Sequence, residues 1–337
     1  MSQKNVEIAV DHNFHLQTLD VMEKWEERRS PEYKDYRLQW YTNPKNNIVN
    51  NYPIHLDIEA TSACNFLCTM CPRTEMIENK KFWKVENFDL ETYKMIISDG
   101  VNNGLKSVKF QYLGEPLVNK NLVKMIKFAK EAGVVDVMFN TNASLLTKKK
   151  SVEIIESGVD KVFFSFDSPY REIFNKIRVK GDYDQVLVNI RNFMKIKKSL
   201  NSDTPITRVQ MVLMKENEKE WGDFQKLFEG VVDTIAYVDY LDHGAQKQQK
   251  SKGIVEIGSR KKPFCCPQLW QRMFIHPDGI VTPCCIDSNR DLIMGNINES
   301  STSEIWKNEK YQNLRNLHLS GKINEVPTCS KCPLAKY

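Results

Sequence analysis

Between Pro72 and Phe264 the chain has no cysteine, and over residues 1–52 it has no glycine. It also lacks a signal peptide at Met1-Ser-Gln-Lys-Asn and any apolar run long enough to span a membrane, which argues against secretion and a membrane anchor. Nine cysteines in a secreted chain would suggest disulfides; without those signals, a reducing cytoplasm and metal ligation fit better. A concentrated basic stripe is missing too: 48 Lys and Arg stand against 43 Asp and Glu, for a formal charge of +5 spread over interleaved signs. That pattern excludes nucleic acid as the expected partner. At 337 residues and 41% hydrophobic, the chain can build one large core and one small appended domain. The glycine-free start, with Trp25, Trp40 and several tyrosines, reads as an N-terminal helical extension over residues 1–52 that packs on the main domain.

The cysteines fall into two groups. Cys64, Cys68 and Cys71 form C-x3-C-x2-C in Thr-Ser-Ala-Cys-Asn-Phe-Leu-Cys-Thr-Met-Cys-Pro, directly after the strand-like Ile54-His-Leu-Asp-Ile-Glu59. Three thiolates are one short of a closed structural zinc site, whereas a cubane iron-sulfur cluster held by three cysteines keeps one iron open to a small chelating molecule. The other six read Cys265-Cys266, Cys284-Cys285 and Cys329-Ser-Lys-Cys332. Pro277-Asp-Gly279 is a turn that brings the first two pairs to neighbouring ends of antiparallel strands. One cysteine from each pair with Cys329 and Cys332 makes four, a set that suits zinc as well as iron-sulfur. The N-terminal triplet tips the choice towards iron-sulfur.

From residue 53 a strand and helix unit repeats. Gly104, Gly133 and Gly158 each close a helix before an apolar run: Ser107–Tyr112, Val134–Phe139 and Lys161–Phe166. Arg208–Leu213 and Thr234–Val238 follow, separated by the amphipathic stretch Trp221–Phe228. With the strand before Cys64 the count is six, and the alternation predicts an α/β fold of parallel strands with right-handed crossovers. Ligands in such a sheet gather at the C-terminal strand ends.

The cysteine triplet and these strand ends resemble the radical S-adenosylmethionine (SAM) enzymes, with Met70 at the usual aromatic position. That resemblance implies a partial (β/α)6 TIM barrel over residues 53–245, a 4Fe-4S cluster on Cys64, Cys68 and Cys71, and SAM chelated to its open iron. Leu113-Gly114-Glu115-Pro116 resembles the family's GGE motif, which would set Gly114 and Glu115 at the SAM amino group. Ser165 and Arg178 resemble its partners for the SAM carboxylate, a charge-assisted pairing for the guanidinium. Asn142 and Met211 correspond to its ribose and adenine contacts.

Residues 264–337, joined by a linker at 246–263, resemble the SPASM and twitch domains appended to many such enzymes. Cys266, Gly279 and Cys284 give C-x12-G-x4-C, followed by Met294-Gly-Asn-Ile-Asn, Ser303-Glu-Ile-Trp306 and Leu314-Arg315. Ser301-x-x-Glu304 is a capping box that starts a helix. The resemblance implies an auxiliary 4Fe-4S cluster on Cys266, Cys284, Cys329 and Cys332. Cys265 and Cys285 are then spare, either as small buried hydrophobes or as hydrogen-atom donors.

The implied chemistry is reductive cleavage of SAM to a 5′-deoxyadenosyl radical that abstracts hydrogen from an unactivated C–H bond, with the cofactor carrying the difficult step. The expected function is oxidation of a sugar, cyclitol or similar small polar metabolite, assisted by the auxiliary cluster. The electron donor would be a flavodoxin or ferredoxin. A radical epimerase, with Cys285 or Cys265 as catalytic thiol, and a maturase of ribosomally made peptides are the alternatives.

Overall fold

The structure, a computed structural model, describes residues 7–8, 14–17, 19–241 and 264–332. The expected linker at 246–263 lies outside the described residues. Among those described are twelve strands: β1 Glu7–Ile8, β2 Phe14–Gln17, β3 His55–Ile58, β4 Ser107–Phe110, β5 Asp136–Thr141, β6 Lys161–Ser165, β7 Ile206–Leu213, β8 Thr234–Asp239, β9 Phe264–Cys265, β10 Arg272–Ile275, β11 Ile280–Thr282 and β12 Gly295–Asn296. Strands β3 to β8 are parallel and lie side by side in chain order, with helices in the crossovers. This is the open partial barrel expected of six strand and helix units.

Local chemistry sets the units. Gly104, Gly133 and Gly158 adopt φ of 107°, 102° and 79°, a left-handed turn that only glycine makes without steric cost, and each returns the chain into a strand. At the other ends Asp89, Thr147 and Asp182 accept backbone N–H groups from the first turns of the helices Leu90–Asn103, Lys148–Ile155 and Tyr183–Ser199. The strands bury one alternating set fully: Val108, Phe110, Val137, Phe139, Val162, Phe164, Val209 and Met211 face the helices at 0% exposure. Each large side chain sealed there contributes about 1.5–3 kcal/mol.

The glycine-free N-terminal segment closes the lower mouth of the barrel. Trp25, Tyr33 and Tyr36, from helices Leu19–Glu27 and Pro31–Asn46, form a separate apolar cluster with Ile54 and Ile206 at the strand starts. Lys161 is buried there, donating to Tyr33 Oη at 3.0 Å and to Asp136 at 2.8 Å, so its charge is paired. The segment is not wholly helical as the sequence suggested. Strand β2 pairs antiparallel with β8, and β1 pairs parallel with β9; both strands are too short to carry a period of their own.

The C-terminal hairpin forms as expected, with β10 antiparallel to β11 across Pro277-Asp-Gly279 and Gly279 at φ 86°. It is not a detached module. β10 pairs parallel with β3, so the hairpin and β12 continue the main sheet to ten strands. The capping box of Ser301 and Glu304 starts the helix Thr302–Lys307. Trp306 from that helix donates to Asn50 O at 3.1 Å, and Arg315 lies over its ring while donating to Leu269 O at 2.9 Å.

Candidate active site

The loop carrying Cys64, Cys68 and Cys71 leaves the C-terminal end of β3 and ends at Pro72, the first residue of a short helix. Its backbone is stitched to another loop: Leu67 N–H donates to Val179 O and Thr69 N–H to Ile177 O, both at 2.9 Å. This pairing seats Arg178 against the cysteines. Its guanidinium binds Asp167 and reaches 3.8 Å from Cys68 Sγ. Burial pushes Cys64 up to about 11 and Cys68 up to about 12, with Arg178 opposing the shift at Cys68. Such thiols hold their protons at neutral pH and become thiolates when a metal takes them.

Two strand-end loops close on this one. A Cβ at Gly114 would stand 1.7 Å from Thr61 O, so no other residue fits without moving the backbone that leads into Cys64. Glu115 N–H then donates to Ala63 O at 2.8 Å. The Glu115 carboxylate, 3% exposed, accepts from Thr141 Oγ1 at 2.7 Å, Asn142 N–H at 2.7 Å and Leu117 N–H at 3.2 Å. Burial raises its pKa and these donors oppose that. Asn142 in turn donates its side-chain amide to Asn65 Oδ1 at 2.9 Å. Gly114, Glu115 and Asn142 therefore meet at the cysteine loop.

Ser165 ends β6 on the inner face, half-buried, opposite Gln210. The polar contacts of Arg178 go instead to Asp167 and Cys68. Asp167, two residues further on, holds Arg178 and also accepts Val212 N–H at 2.8 Å, tying β6 to β7. Its part could have been sensed from an acid at a strand end, but its partner could not. Met211 is fully buried on the helix-facing side of β7 with Val209, while Gln210 and Val212 are the β7 residues that face inward. Strand alternation leaves no route from Met211 into the lumen.

The inner face of the sheet is the reverse of the outer one. Lys109, Gln111, Asn140, Ser165, Arg208 and Gln210 keep partial solvent access while their strand neighbours are sealed, which defines a polar lumen opening below the cysteine loop. Gln111 donates to Asp57 Oδ1 at 2.5 Å and Asn140 to Gln111 Oε1 at 3.2 Å. Tyr112, at φ 128°, packs against His276 and donates to Asp287 O at 3.0 Å, joining β4 to the C-terminal loop.

Cys266, Cys284, Cys329 and Cys332 line one cavity, together with Leu269, Pro283, Ile286, Leu292 and Leu314. No carboxylate lines it, so the four thiols share an apolar enclosure, and among the described residues no three of them are gathered closely enough to hold a single metal ion. That donor set fits an iron-sulfur cluster. His318 joins the lining: Cys266 N–H donates to its Nδ1 at 3.2 Å, and its Nε2 lies 3.4 Å from Cys329 Sγ. The two spare cysteines part company. Cys265 is 2% exposed and packed in the core, whereas Cys285 is half-buried, with Gln268 Nε2 3.9 Å from its sulfur.

A three-cysteine loop at the mouth of an open parallel barrel, with an apolar four-cysteine cavity alongside, defines an iron-sulfur enzyme of the SAM-cleaving class. The chain belongs to the radical SAM superfamily, whose model matches residues 58–228, and an iron-sulfur cluster-binding SPASM domain matches residues 265–333. These domains bind a 4Fe-4S cluster with SAM and auxiliary iron-sulfur clusters, respectively. The chain is 25% identical over 324 residues to a tungsten-containing aldehyde ferredoxin oxidoreductase cofactor-modifying protein of Pyrococcus furiosus, covering 83% of this chain and 87% of that protein. It is 23% identical over 281 residues to the S-adenosyl-L-methionine-dependent 2-deoxy-scyllo-inosamine dehydrogenase of Niallia circulans, covering 82% and 91%. Among solved structures, BtrN in complex with AdoMet and 2-DOIA aligns with a TM-score of 0.54 at 19% identity, covering 83% of this chain and 92% of that one. Streptococcus suis SuiB bound to precursor peptide SuiA aligns with a TM-score of 0.58 at 15% identity, covering 90% and 74%. No helix among the described residues is long and apolar enough to cross a membrane.

Proposed function

We propose that this radical SAM enzyme oxidises a small polar metabolite, a sugar, cyclitol or relative, by removing hydrogen from carbon and passing an electron to an auxiliary cluster. Cys64, Cys68 and Cys71 would hold the SAM-binding cluster, and Cys266, Cys284, Cys329 and Cys332 the auxiliary one. The bound cofactors supply a 5′-deoxyadenosyl radical and a one-electron acceptor. The protein's part is positional. Gly114 lets the β4 loop close on the cysteine loop, Glu115 clamps the β5 loop to it, and the Asp167-held Arg178 sets a positive charge beside Cys68.

The observation that carries this reading is the convergence of four cysteines in a carboxylate-free cavity joined to the barrel through Tyr112 and Asp287. The likeness to the Niallia circulans dehydrogenase over most of both chains supports oxidation. An epimerase is the second reading, favoured by Cys285, a half-buried thiol next to Cys284 that the auxiliary set of four does not use.

The test is iron analysis of anaerobically reconstituted protein. Seven ligands in two sets give about eight irons per chain, and a Cys64→Ala, Cys68→Ala, Cys71→Ala variant keeps about four while losing SAM cleavage. Zinc in place of iron in that variant would remove the auxiliary cluster from the reading.

A further inference from the structure

Arg208 and Gln210 stand two residues apart on β7, both half-buried on the inner face of the sheet. Arg208 Nη2 donates to Gln210 Oε1 at 2.7 Å. Whatever else Arg208 meets, a guanidinium has only donors, so the atom of Gln210 that it holds is the amide oxygen. The amide NH2 is thereby turned away from Arg208. It has no hydrogen-bond partner among the described residues, and the side chain keeps partial contact with solvent. Gln210 lies opposite Ser165 at the C-terminal end of β6, and the next inward position on β7, Val212, gives its N–H to Asp167 at 2.8 Å. Asp167 binds Arg178, whose guanidinium reaches 3.8 Å from Cys68 Sγ. Two residues of strand, about 7 Å, thus separate Gln210 from the residue tied to the cysteine loop.

We propose that Gln210 positions the substrate by donating this N–H to the oxygen on the carbon that is oxidised. The proposal rests on the oxidation reading above and on the lumen being its substrate chamber. It adds what the substrate must present there: an oxygen acceptor, in the form of a hydroxyl that becomes a ketone. An ammonium group has no lone pair to accept with and is excluded at that carbon. In the reaction the carbon gives a hydrogen atom to the 5′-deoxyadenosyl radical and an electron to the oxidised auxiliary cluster, the hydroxyl proton passes to water, and the C–O single bond becomes C=O. The oxygen can accept a hydrogen bond throughout, and it is most negative as its proton leaves, so a donor aimed at it binds that stage most strongly. Arg208 strengthens the donor from behind. Burial lowers its pKa to about 9, so the guanidinium is still charged at neutral pH and polarises the amide whose oxygen it holds.

The experiment uses the reconstituted enzyme with two probes: scyllo-inositol, whose carbinols are all equivalent, and its ketone scyllo-inosose. Calorimetric titration measures affinity, and isotope-edited infrared spectroscopy reads the carbonyl stretch of bound scyllo-inosose. We expect both probes to bind and the carbonyl band to move to lower frequency on binding. Gln210→Leu removes the amide, and Gln210→Glu keeps its size and its contact with Arg208 while removing the N–H. Each is expected to weaken scyllo-inosose about tenfold, the loss of one hydrogen bond, and to abolish the band shift. Iron content and far-ultraviolet circular dichroism check that each variant folds. An unshifted carbonyl band in the unmodified enzyme, or no binding of either probe, overturns the proposal without recourse to a variant, as does an unchanged affinity and band shift in either folded variant. Failure of the oxidation reading would show separately, as SAM cleavage without formation of scyllo-inosose from scyllo-inositol, while the band shift and its loss in the variants persisted.

Discussion

His318 stands between two of the cavity's cysteines with its ring orientation fixed: Nδ1 accepts the Cys266 N–H at 3.2 Å, which leaves Nε2 to donate to Cys329 Sγ at 3.4 Å. A hydrogen bond to a ligating sulfur favours the more negative, reduced state of a cluster. His318→Leu is therefore expected to shift the auxiliary cluster to a more negative potential with four irons retained. Potentiometric titration followed by electron paramagnetic resonance, in the background lacking Cys64, Cys68 and Cys71, measures it. An unshifted potential would show that this contact does not reach the cluster.

Gly114→Ala sets a methyl group 1.7 Å from the Thr61 carbonyl oxygen. Overpacking of this kind costs about 1–3 kcal/mol, and here the strain falls on the approach to Cys64. The expected outcome is a lower melting temperature and loss of the SAM-binding cluster, with the auxiliary iron kept. Normal iron content and SAM affinity would show that the loop relaxes freely.

Glu115→Ala leaves the Asn142 and Leu117 N–H groups without their acceptor in a buried site. Each unpaired donor costs about 1–3 kcal/mol, so the variant should lose stability as well as SAM affinity. Glu115→Gln keeps an acceptor oxygen and should recover part of the stability. Denaturant unfolding and calorimetry with SAM separate the two effects; an Ala variant as stable as the native chain would contradict the clamp.

Lys109 gives a pH signature. Burial, opposed by Asp57, holds its proton affinity down to about 7 in the folded chain, against about 10.4 for an unfolded lysine. Between those values the unfolded chain binds more protons, so stability rises with pH across that window, and the burial cost is greatest below pH 7. Lys109→Met is expected to flatten the rise in unfolding free energy between pH 7 and pH 9. Urea titrations at three pH values would reveal it, and parallel curves for both proteins would count against a charge-strained lysine.

Oxidation and epimerisation differ in their demand for a thiol. Oxidation predicts that Cys265→Ala and Cys285→Ala both keep turnover, with one SAM consumed per product and no solvent deuterium at carbon. A product one mass unit heavier than the substrate, carrying one deuterium at carbon and abolished by Cys285→Ala, would establish epimerisation instead. Mass spectrometry of reactions in deuterated water decides. Cys265, sealed in the core, is expected to affect stability alone.

Much of this architecture was legible in the chain. The six parallel strands follow from apolar runs and from Gly104, Gly133 and Gly158, because both signals are local. The grouping of Cys266, Cys284, Cys329 and Cys332 followed from a turn and a resemblance, and the cavity they line agrees with it. The face of each β7 residue is legible in its alternation: the polar residues Arg208 and Gln210 alternate with Val209 and Met211, which marks the inner face more faithfully than nearness to the strand end. The partnership of Arg178 with Asp167 and the docking of β10 on β3 depend on chain crossings that leave no local pattern.

That docking gives the two cysteine regions a shared inheritance. The strand that launches the cysteine loop, β3, is flanked on one side by β4 and on the other by β10, in register from Arg272 opposite His55 to Ile275 opposite Ile58. Cut away the C-terminal segment and β3 becomes a bare edge, its N–H and C=O groups free to recruit a strand from another copy. A recombination event that swapped this segment for another would need a first strand matching β3 in register and in its inward-facing residues. The C-terminal segment therefore seals an edge of the barrel as well as supplying the second set of cysteines.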